Sequence, residues 1–389
     1  MGAERYDVVV IGAGIHGAGI AQAAAARGHS VLLLEQHSPA FGTSSRSSKL
    51  IHGGLRYLES GQLALVRECL RERELLLKLA PELVRLVPFY IPVYRHTTRR
   101  PWQIRAGLSL YALLGGLGEH VRFIQVPRAQ WDELDGLATQ DLQAVYRYFD
   151  AQTDDAALTR AVLQSAQTLG ATVEMPAEFL GATVLTQDCS VRYAHQNRTH
   201  EILTRVLINA AGPWVNDVLK KVTPKPFIPV VDLVQGAHII VEGTTRRGIY
   251  YVEAPRDRRA VFVMPWQGRT LIGTTETHYD GDPAAVHALP QEIDYLLETY
   301  EHYFPQPRAA KLHESFAGLR VLPRADGSAF HRPRDTLLLC DNNTQPHLVS
   351  VVGGKLTAYR ATAEKLLKLI SPALPSRRAV ANTRSLRLS

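Results

Sequence analysis

At 389 residues the chain is long enough to bury a large core and to hold two domains. Lysine and arginine (44) outnumber aspartate and glutamate (37), and the net charge of +7 favours anionic small molecules or an anionic membrane surface. No basic stripe interleaved with aromatics and no nucleic-acid motif occurs, which sets nucleic acid aside, and three scattered cysteines (Cys69, Cys189, Cys340) exclude a disulfide framework and a metal site, predicting reduced thiols in a cytosolic protein.

The first element is the apolar run Tyr6-Asp7-Val8-Val9-Val10-Ile11, followed by the turn Gly12-Ala13-Gly14-Ile15-His16-Gly17. An alanine-rich segment to Arg27, closed by Gly28, leads to a second apolar run, Val31 to Leu34, ending in Glu35. The pattern predicts strand, tight turn, helix, strand. Gly12, Gly14 and Gly17 allow the tight turn, the close approach of a pyrophosphate and close helix–strand packing; Glu35, about 20 residues on, can accept from ribose hydroxyls. NAD and FAD both use such a turn. The glycines of 8–26 fit it better than a signal peptide, Tyr6 stands where a myristoylation signal needs Ser or Thr, and no run of about 20 apolar residues predicts a membrane span.

The polar stretch Thr43-Ser44-Ser45-Arg46-Ser47-Ser48-Lys49 runs into Leu50-Ile51-His52-Gly53-Gly54-Leu55-Arg56-Tyr57-Leu58, which reads as a loop crossing a cofactor rather than a linker. Gln62 to Ala80 is predicted helical, with Arg67-Glu68 and Arg71-Glu72-Arg73-Glu74 as its solvated face. Residues 101–118 predict a short apolar helix flanked by Arg95, Arg99, Arg100 and Arg105, read as core in preference to interfacial. Asp155 to Thr168 is a further helix. Val206-Leu207-Ile208-Asn209 leads into Ala210-Ala211-Gly212-Pro213-Trp214, a strand ending in small residues, as at a second approach to a nucleotide. Residues 227–275 are β-rich, with a hairpin around Gln267-Gly268 and His238 set between strands Val230-to-Val234 and Ile239-Ile240. Gln291 to Tyr303 is helical, Leu348 to Val352 a buried strand, Gly353-Gly354 a turn, Thr357 to Ile370 a helix and 371–389 a loose tail.

With Asn209-Ala210-Ala211-Gly212-Pro213-Trp214, Ile272-Gly273-Thr274-Thr275-Glu276 and Gly353-Gly354-Lys355-Leu356-Thr357-Ala358-Tyr359-Arg360, the two N-terminal stretches resemble the FAD-dependent glycerol-3-phosphate dehydrogenases of the bacterial aerobic, quinone-linked type, in order and spacing from about residue 5 to 370. The resemblance implies FAD and an α/β (α+β overall) fold: a glutathione-reductase-like Rossmann domain (1–80, 145–215 and 340–372) with an inserted antiparallel β-sheet substrate domain (81–144 and 216–339). It implies oxidation of sn-glycerol 3-phosphate to dihydroxyacetone phosphate, with electrons passed to a quinone or other acceptor. Localisation is then cytoplasmic, with peripheral contact at an anionic inner membrane face; the oligomer is not legible.

The implied cofactor contacts are Gly12, Gly14, Gly17, Glu35, Thr43, Ser44, Ser47, Lys49, Leu50, His52, Ala211, Gly212, Gly354, Lys355, Leu356 and Thr357. His238 matches the family's substrate-domain histidine and suits the hydroxyl proton, with His52 as rival. Arg320 and Lys355 complete the catalytic set, and Arg56, Tyr57, Thr275 and Arg334 the substrate contacts, since a phosphate dianion needs fixed cations. The helix from Lys355 would aim its N-terminus at reduced flavin. The family's Gly-x-Arg-Pro turn reads Gly318-Leu319-Arg320-Val321 here, and Val234-Gln235-Gly236-Ala237 stands where relatives often carry a basic residue and a serine. The usual C-terminal helical domain of roughly a hundred residues is for the most part lacking, so dimerisation and acceptor docking are not carried over. The same residues also admit an oxidase of an amino acid or 2-hydroxy acid, with arginines for a carboxylate, or a truncated, catalytically silent flavoprotein.

Overall fold

A computed structural model describes residues 4–305, 310–324 and 336–388. Its helices, in chain order, are α1 (Ile15–Ala26), α2 (Leu63–Leu79), α3 (Pro101–Leu114), α4 (Asp155–Thr168), α5 (Val215–Lys220), α6 (Pro290–Tyr303) and α7 (Tyr359–Ile370). Two mixed sheets carry them. The first is organised on Arg5–Ile11, whose Val8, Val9 and Val10 are wholly buried, as an unbroken apolar run in a parallel sheet must be. It lies parallel to Val31–Leu34 on one side and Arg198–Asn209 on the other. Leu348–Val352 adds in parallel beyond Arg198–Asn209. Segments from the start, middle and end of the chain thus stand side by side, with α1 packed against α4 and α7.

The second sheet joins Val84–Tyr94, Leu142–Thr153, Val231–Val241, Ile249–Glu253, Ala260–Trp266, Arg269–Gly273 and Leu312–Pro323. It is antiparallel except where Ile249 and Tyr250 run parallel to Phe89 and Tyr90. The 267–268 hairpin forms with both turn residues at positive φ (48° and 77°). Among the described residues no helix is long and apolar enough to cross a membrane, and no cluster of His, Cys, Asp or Glu is arranged to hold a metal ion.

Several expectations need correction. The boundary at 144/145 falls inside Leu142–Thr153, which pairs along its length with Val84–Tyr94 in the second sheet. His238 does not sit between two strands. Val231–Val241 is continuous and pairs throughout with Leu312–Pro323; Gly236, which reads as a break, stands opposite Gly318 and keeps the ladder. The charged face of α2 is not all solvated: Glu72 and Arg73 are buried, Glu72 paired with Arg360 and Arg73 with Asp150 at 2.6 Å. α3 is both core and surface, with Ile104, Leu108 and Tyr111 buried and Trp102 and Leu113 exposed. α7 begins at Tyr359, two residues late, after a turn closed by Ala358 N–H on the Lys355 carbonyl. The tail is not loose. Val380 and Ala381 N–H donate to the Ala26 carbonyl at the end of α1, Leu388 N–H donates to Leu79, and Arg360 reaches Thr383 Oγ1 at 3.1 Å.

Candidate functional site

A cavity of about 480 Å³ runs from the glycine turn to the second sheet. At its first end Gly12 takes φ +100°, and a Cβ there would stand 2.8 Å from the Ala210 carbonyl oxygen. A Cβ on Gly17 would fall 1.9 Å from Gly12 O, so Gly17 sets how closely α1 approaches the turn without itself bordering the cavity. The first turn of α1 carries no acidic side chain, leaving its positive end to an anion. Ser44 Oγ accepts from Ile15 N–H at 2.9 Å and joins the polar loop to that helix start. Glu35 accepts from Ala13 N–H (2.7 Å) and His37 N–H (2.8 Å), and its carboxylate retains lone pairs on the cavity side. A concave helix start, an acid at the strand end and a long cavity beyond fit a dinucleotide.

The middle is made by three glycine-bearing segments. Thr43 Oγ1 donates to Leu319 O at 2.7 Å, tying the loop to the second sheet. His52 N–H donates to Thr357 Oγ1 at 3.1 Å. Gly53 N–H donates to Tyr111 OH, which donates in turn to Asp150, the partner of buried Arg73. Ser47, Leu50, Ala211, Gly212, Gly354 and Leu356 all border the cavity between its ends. Burial holds the His52 imidazole down to about 4, although the ring edges the cavity, and His16, beneath Gly354, likewise to about 4.

At the far end the two-residue period of one ladder sets the geometry. Arg320 stands opposite Val234, Gly318 opposite Gly236 and Phe316 opposite His238, all on one face. A Cβ on Gly236 would be 2.9 Å from the Arg320 guanidinium nitrogens and one on Gly318 2.5 Å from Arg46 O, so the glycine pair opens the space that both fill. Arg320 donates to Thr275 O (3.4 Å) and Thr274 Oγ1 (3.2 Å). His238, 2% exposed, stacks on Phe316 with centroids 5.0 Å apart, and its Nε2 meets Ser48 Oγ at 2.9 Å. Burial, then the charges of Arg320 and Lys49, lower its pKa to about 3, so the ring is neutral. Lys355 Nζ lies 3.4 Å above the Tyr57 ring, with the Arg56 guanidinium 5.8 Å from the same ring.

Two expected contacts are placed elsewhere. Lys49 does not border the cavity: its buried ammonium is held by Asp155 and the Ser45 carbonyl, both at 2.6 Å. Thr275 turns its hydroxyl away, accepting from Ala237 N–H (2.8 Å) and donating to buried Glu292 (2.6 Å), while Thr274 borders the cavity. Arg334 lies outside the described residues. Val321, where the family has proline, pairs with Leu233, so the ladder supplies the stiffness a ring would have given. Sequence reasoning did not single out Ser48, Phe316, Thr274 or the Arg259–Glu276 pair at 2.6 Å on the cavity wall. Alternation from His238 and Arg320 would have found Phe316; nothing local marks the others.

A family model described as FAD dependent oxidoreductase matches residues 7–360. The chain is 41% identical over 385 residues to a glycerol-3-phosphate dehydrogenase of Pseudomonas aeruginosa, covering 95% of this chain and 72% of that protein. It is 37% identical over 370 residues to a D-erythritol 1-phosphate dehydrogenase of Brucella abortus, covering 93% and 73%. The crystal structure of a glycerol-3-phosphate dehydrogenase from Bacillus halodurans, complexed with FAD, superposes with a TM-score of 0.78 at 28% identity over 99% of this chain and 68% of that one.

Proposed function

The chain belongs to the FAD-dependent oxidoreductase family, and on that premise we propose that it oxidises a polyol phosphate, sn-glycerol 3-phosphate, to the corresponding ketone, dihydroxyacetone phosphate. The observation that carries the reading is the meeting of His238, Arg320, Arg56 and Lys355 at one end of the cavity whose other end is the glycine turn. Bound FAD supplies the hydride acceptor. Gly12, Gly14 and Glu35 would hold its ADP end, the polar loop and the Ala211-Gly212 and Gly354–Thr357 turns would border the rest, and Gly17 and Lys49 would shape this cradle from behind.

Arg320, Arg56 and Lys355 hold the phosphate and the carbinol oxygen. Arg320 arrives pre-oriented by Thr274 and Thr275, so little is lost in ordering it. Tyr57, Tyr251 and Phe262 face the same end and keep water away. His238 serves as the base for loss of the hydroxyl proton, its Nε2 being the nitrogen that gains a proton. A bound dianion offsets the Arg320 field that helps hold the imidazole pKa down, so binding itself makes His238 a better base. The turn before α7 sets backbone N–H groups beside the cavity, where they stabilise developing negative charge.

The test is anaerobic mixing of the yellow protein with glycerol 3-phosphate, which should bleach it; a flavin that no polyol phosphate reduces would sink the assignment. A four-carbon polyol phosphate is the second reading, favoured by the erythritol phosphate dehydrogenase among the relatives, and belongs in the same panel. The electrons pass on to an acceptor, for which we propose a quinone. Exposed Trp102 and Leu113, among exposed Arg95, Arg100 and Arg105, are the proposed contact with an anionic membrane surface. Pelleting with anionic vesicles at low and high salt tests it: binding at low salt only is expected, and none at low salt removes the proposal.

A further inference from the structure

Ser48 Oγ is hydrogen-bonded to the base, and the residues on either side of Ser48 are held in place. Ser47 N–H on one side donates to Asp155 Oδ2 at 2.9 Å, and Lys49 Nζ on the other donates to Asp155 Oδ1 at 2.6 Å. Asp155 and Lys49 are both buried, so this clamp is not loosened by solvent. Lys49 itself takes φ +59°, which turns the chain sharply after Ser48. Preceding Arg46 is wedged against Gly318.

The imidazole is equally fixed. Phe316 stacks on one face at 13° between planes, and the Cδ2–Nε2 edge lies so close to Gly273 that a Cβ there would stand 2.1 Å from Cδ2. In the Nδ1–H tautomer of the neutral ring, Nε2 carries one lone pair, in the ring plane. Ser48 Oγ sits at hydrogen-bond distance from that nitrogen and borders the cavity. A substrate hydroxyl therefore finds the base already hydrogen-bonded to a hydroxyl whose backbone neighbours are clamped.

We propose that Ser48 is a proton relay: the substrate hydroxyl donates to Ser48 Oγ while Ser48 donates its own proton to His238 Nε2. The idea rests on the reading of the site as one that oxidises an alcohol. The substrate O–H bond breaks as a new Ser48 O–H forms; the former Ser48 O–H breaks as Nε2–H forms. The carbinol carbon loses its hydride, and the electron pair with it, to the flavin, so the alcohol becomes a ketone. Afterwards Nε2–H donates to Ser48 Oγ, the same contact with its polarity reversed, and no heavy atom has to move. Lys49 and Asp155 are positioning residues that hold the relay in place.

The experiment is a proton inventory of the anaerobic bleaching by glycerol 3-phosphate, measured in mixtures of light and heavy water, with wild type, Ser48→Ala and Ser48→Thr. Two protons in flight give a curved dependence on deuterium fraction in wild type and Ser48→Thr, which keeps the hydroxyl. Ser48→Ala should be slower by about 10²-fold or more, within the usual span for acid–base catalysis, and should give a straight line. A straight line in wild type, or an unchanged curve in Ser48→Ala, overturns the relay. Imidazole nitrogen resonances of His238 in the resting, histidine-labelled protein provide a readout independent of turnover. They should shift in Ser48→Ala and stay near wild type in Ser48→Thr; no shift in Ser48→Ala overturns the contact. A wild-type protein that no alcohol bleaches would overturn the reading of the site and the relay step with it, while these resonances still report whether Ser48 governs His238.

Discussion

Gly236 stands directly opposite Gly318 in the ladder between Val231–Val241 and Leu312–Pro323, and the gap they leave holds the Arg320 guanidinium. A methyl group at 236 would lie 2.5 Å from Thr274 Oγ1 and 2.9 Å from Arg320, so one of them has to move. Gly236→Ala should lower kcat/KM by about 10²-fold, the scale of a misplacement of about 1 Å, with overpacking costing about 1–3 kcal/mol of stability. Steady-state kinetics beside thermal unfolding separate the two; an active variant with an unchanged KM would mean that the gap is not needed.

Behind that gap, buried Glu292 gathers donors from Thr275, Thr277, Gln235 and the Leu289 N–H, all four of them neutral groups. Thr275 passes the constraint to Ala237 N–H, next to His238, and to Arg320 through its carbonyl. Glu292→Gln replaces one acceptor by a donor facing donors. We expect about 1–3 kcal/mol of lost stability and a rise in KM. A variant with wild-type KM would show that the network supports the fold alone.

His238 gives a pH prediction whose sign follows from its lowered pKa. The folded protein holds the ring neutral down to about 3, while the unfolded chain takes up the proton near its ordinary value of 6.5. Stability from this group is therefore complete above about 6.5 and is lost as pH falls toward 3, by up to about 1.4 kcal/mol per pH unit. Arg320 and Lys49 are the charges that face it. Relative to wild type, His238→Gln should gain ground between pH 7.5 and 5 in urea unfolding. An identical pH dependence in the two proteins would place the buried neutral ring in error.

Lys49 and Asp155 form a buried pair at 2.6 Å. Removing one partner strands the other charge, and Asp155→Ala should cost about 3–5 kcal/mol. The double change Lys49→Met, Asp155→Leu should recover much of that loss but not the rate, because Ser47 loses its anchor. Equal recovery of stability and rate would show that the pair has no positioning role.

The segment 373–388 runs under α1 and α2, so deleting it should lower Tm by several degrees. It removes Thr383, which sits between Arg360 and Glu364, and bares the Ala26 carbonyl. An unchanged Tm would restore the reading of this segment as loose.

What could be read along the chain was whatever depends on neighbours in sequence. The glycine turn, the 267–268 hairpin and the long amphipathic helices rest on local dihedrals and periodicity, and they form close to where the pattern puts them. The exceptions have distant causes. Glu72 finds Arg360 and Arg73 finds Asp150, so charges that look like a solvated stripe become interior pairs. Thr274 and Thr275 are chemically alike, and only strand alternation decides which one borders the cavity. Lys49, in a loop rich in phosphate-binding residue types, is claimed by a carboxylate at the start of α4. Gln235 finds its partner in Glu292, on a helix more than fifty residues later.

The placement of Arg5–Ile11 between Val31–Leu34 and Arg198–Asn209 bears on how the chain is made. Synthesised from the N-terminus at about 5–20 residues per second, the first strand waits roughly 10–40 seconds for its second neighbour to emerge. Leu348–Val352, which flanks that neighbour, arrives later still. During that interval a strand whose Val8, Val9 and Val10 are wholly buried in the finished protein has an open edge, and the nucleotide cradle is half built. Early cofactor capture would have to await the Ala211-Gly212 turn, so loading and closure of the first sheet become a single late event on or after the ribosome.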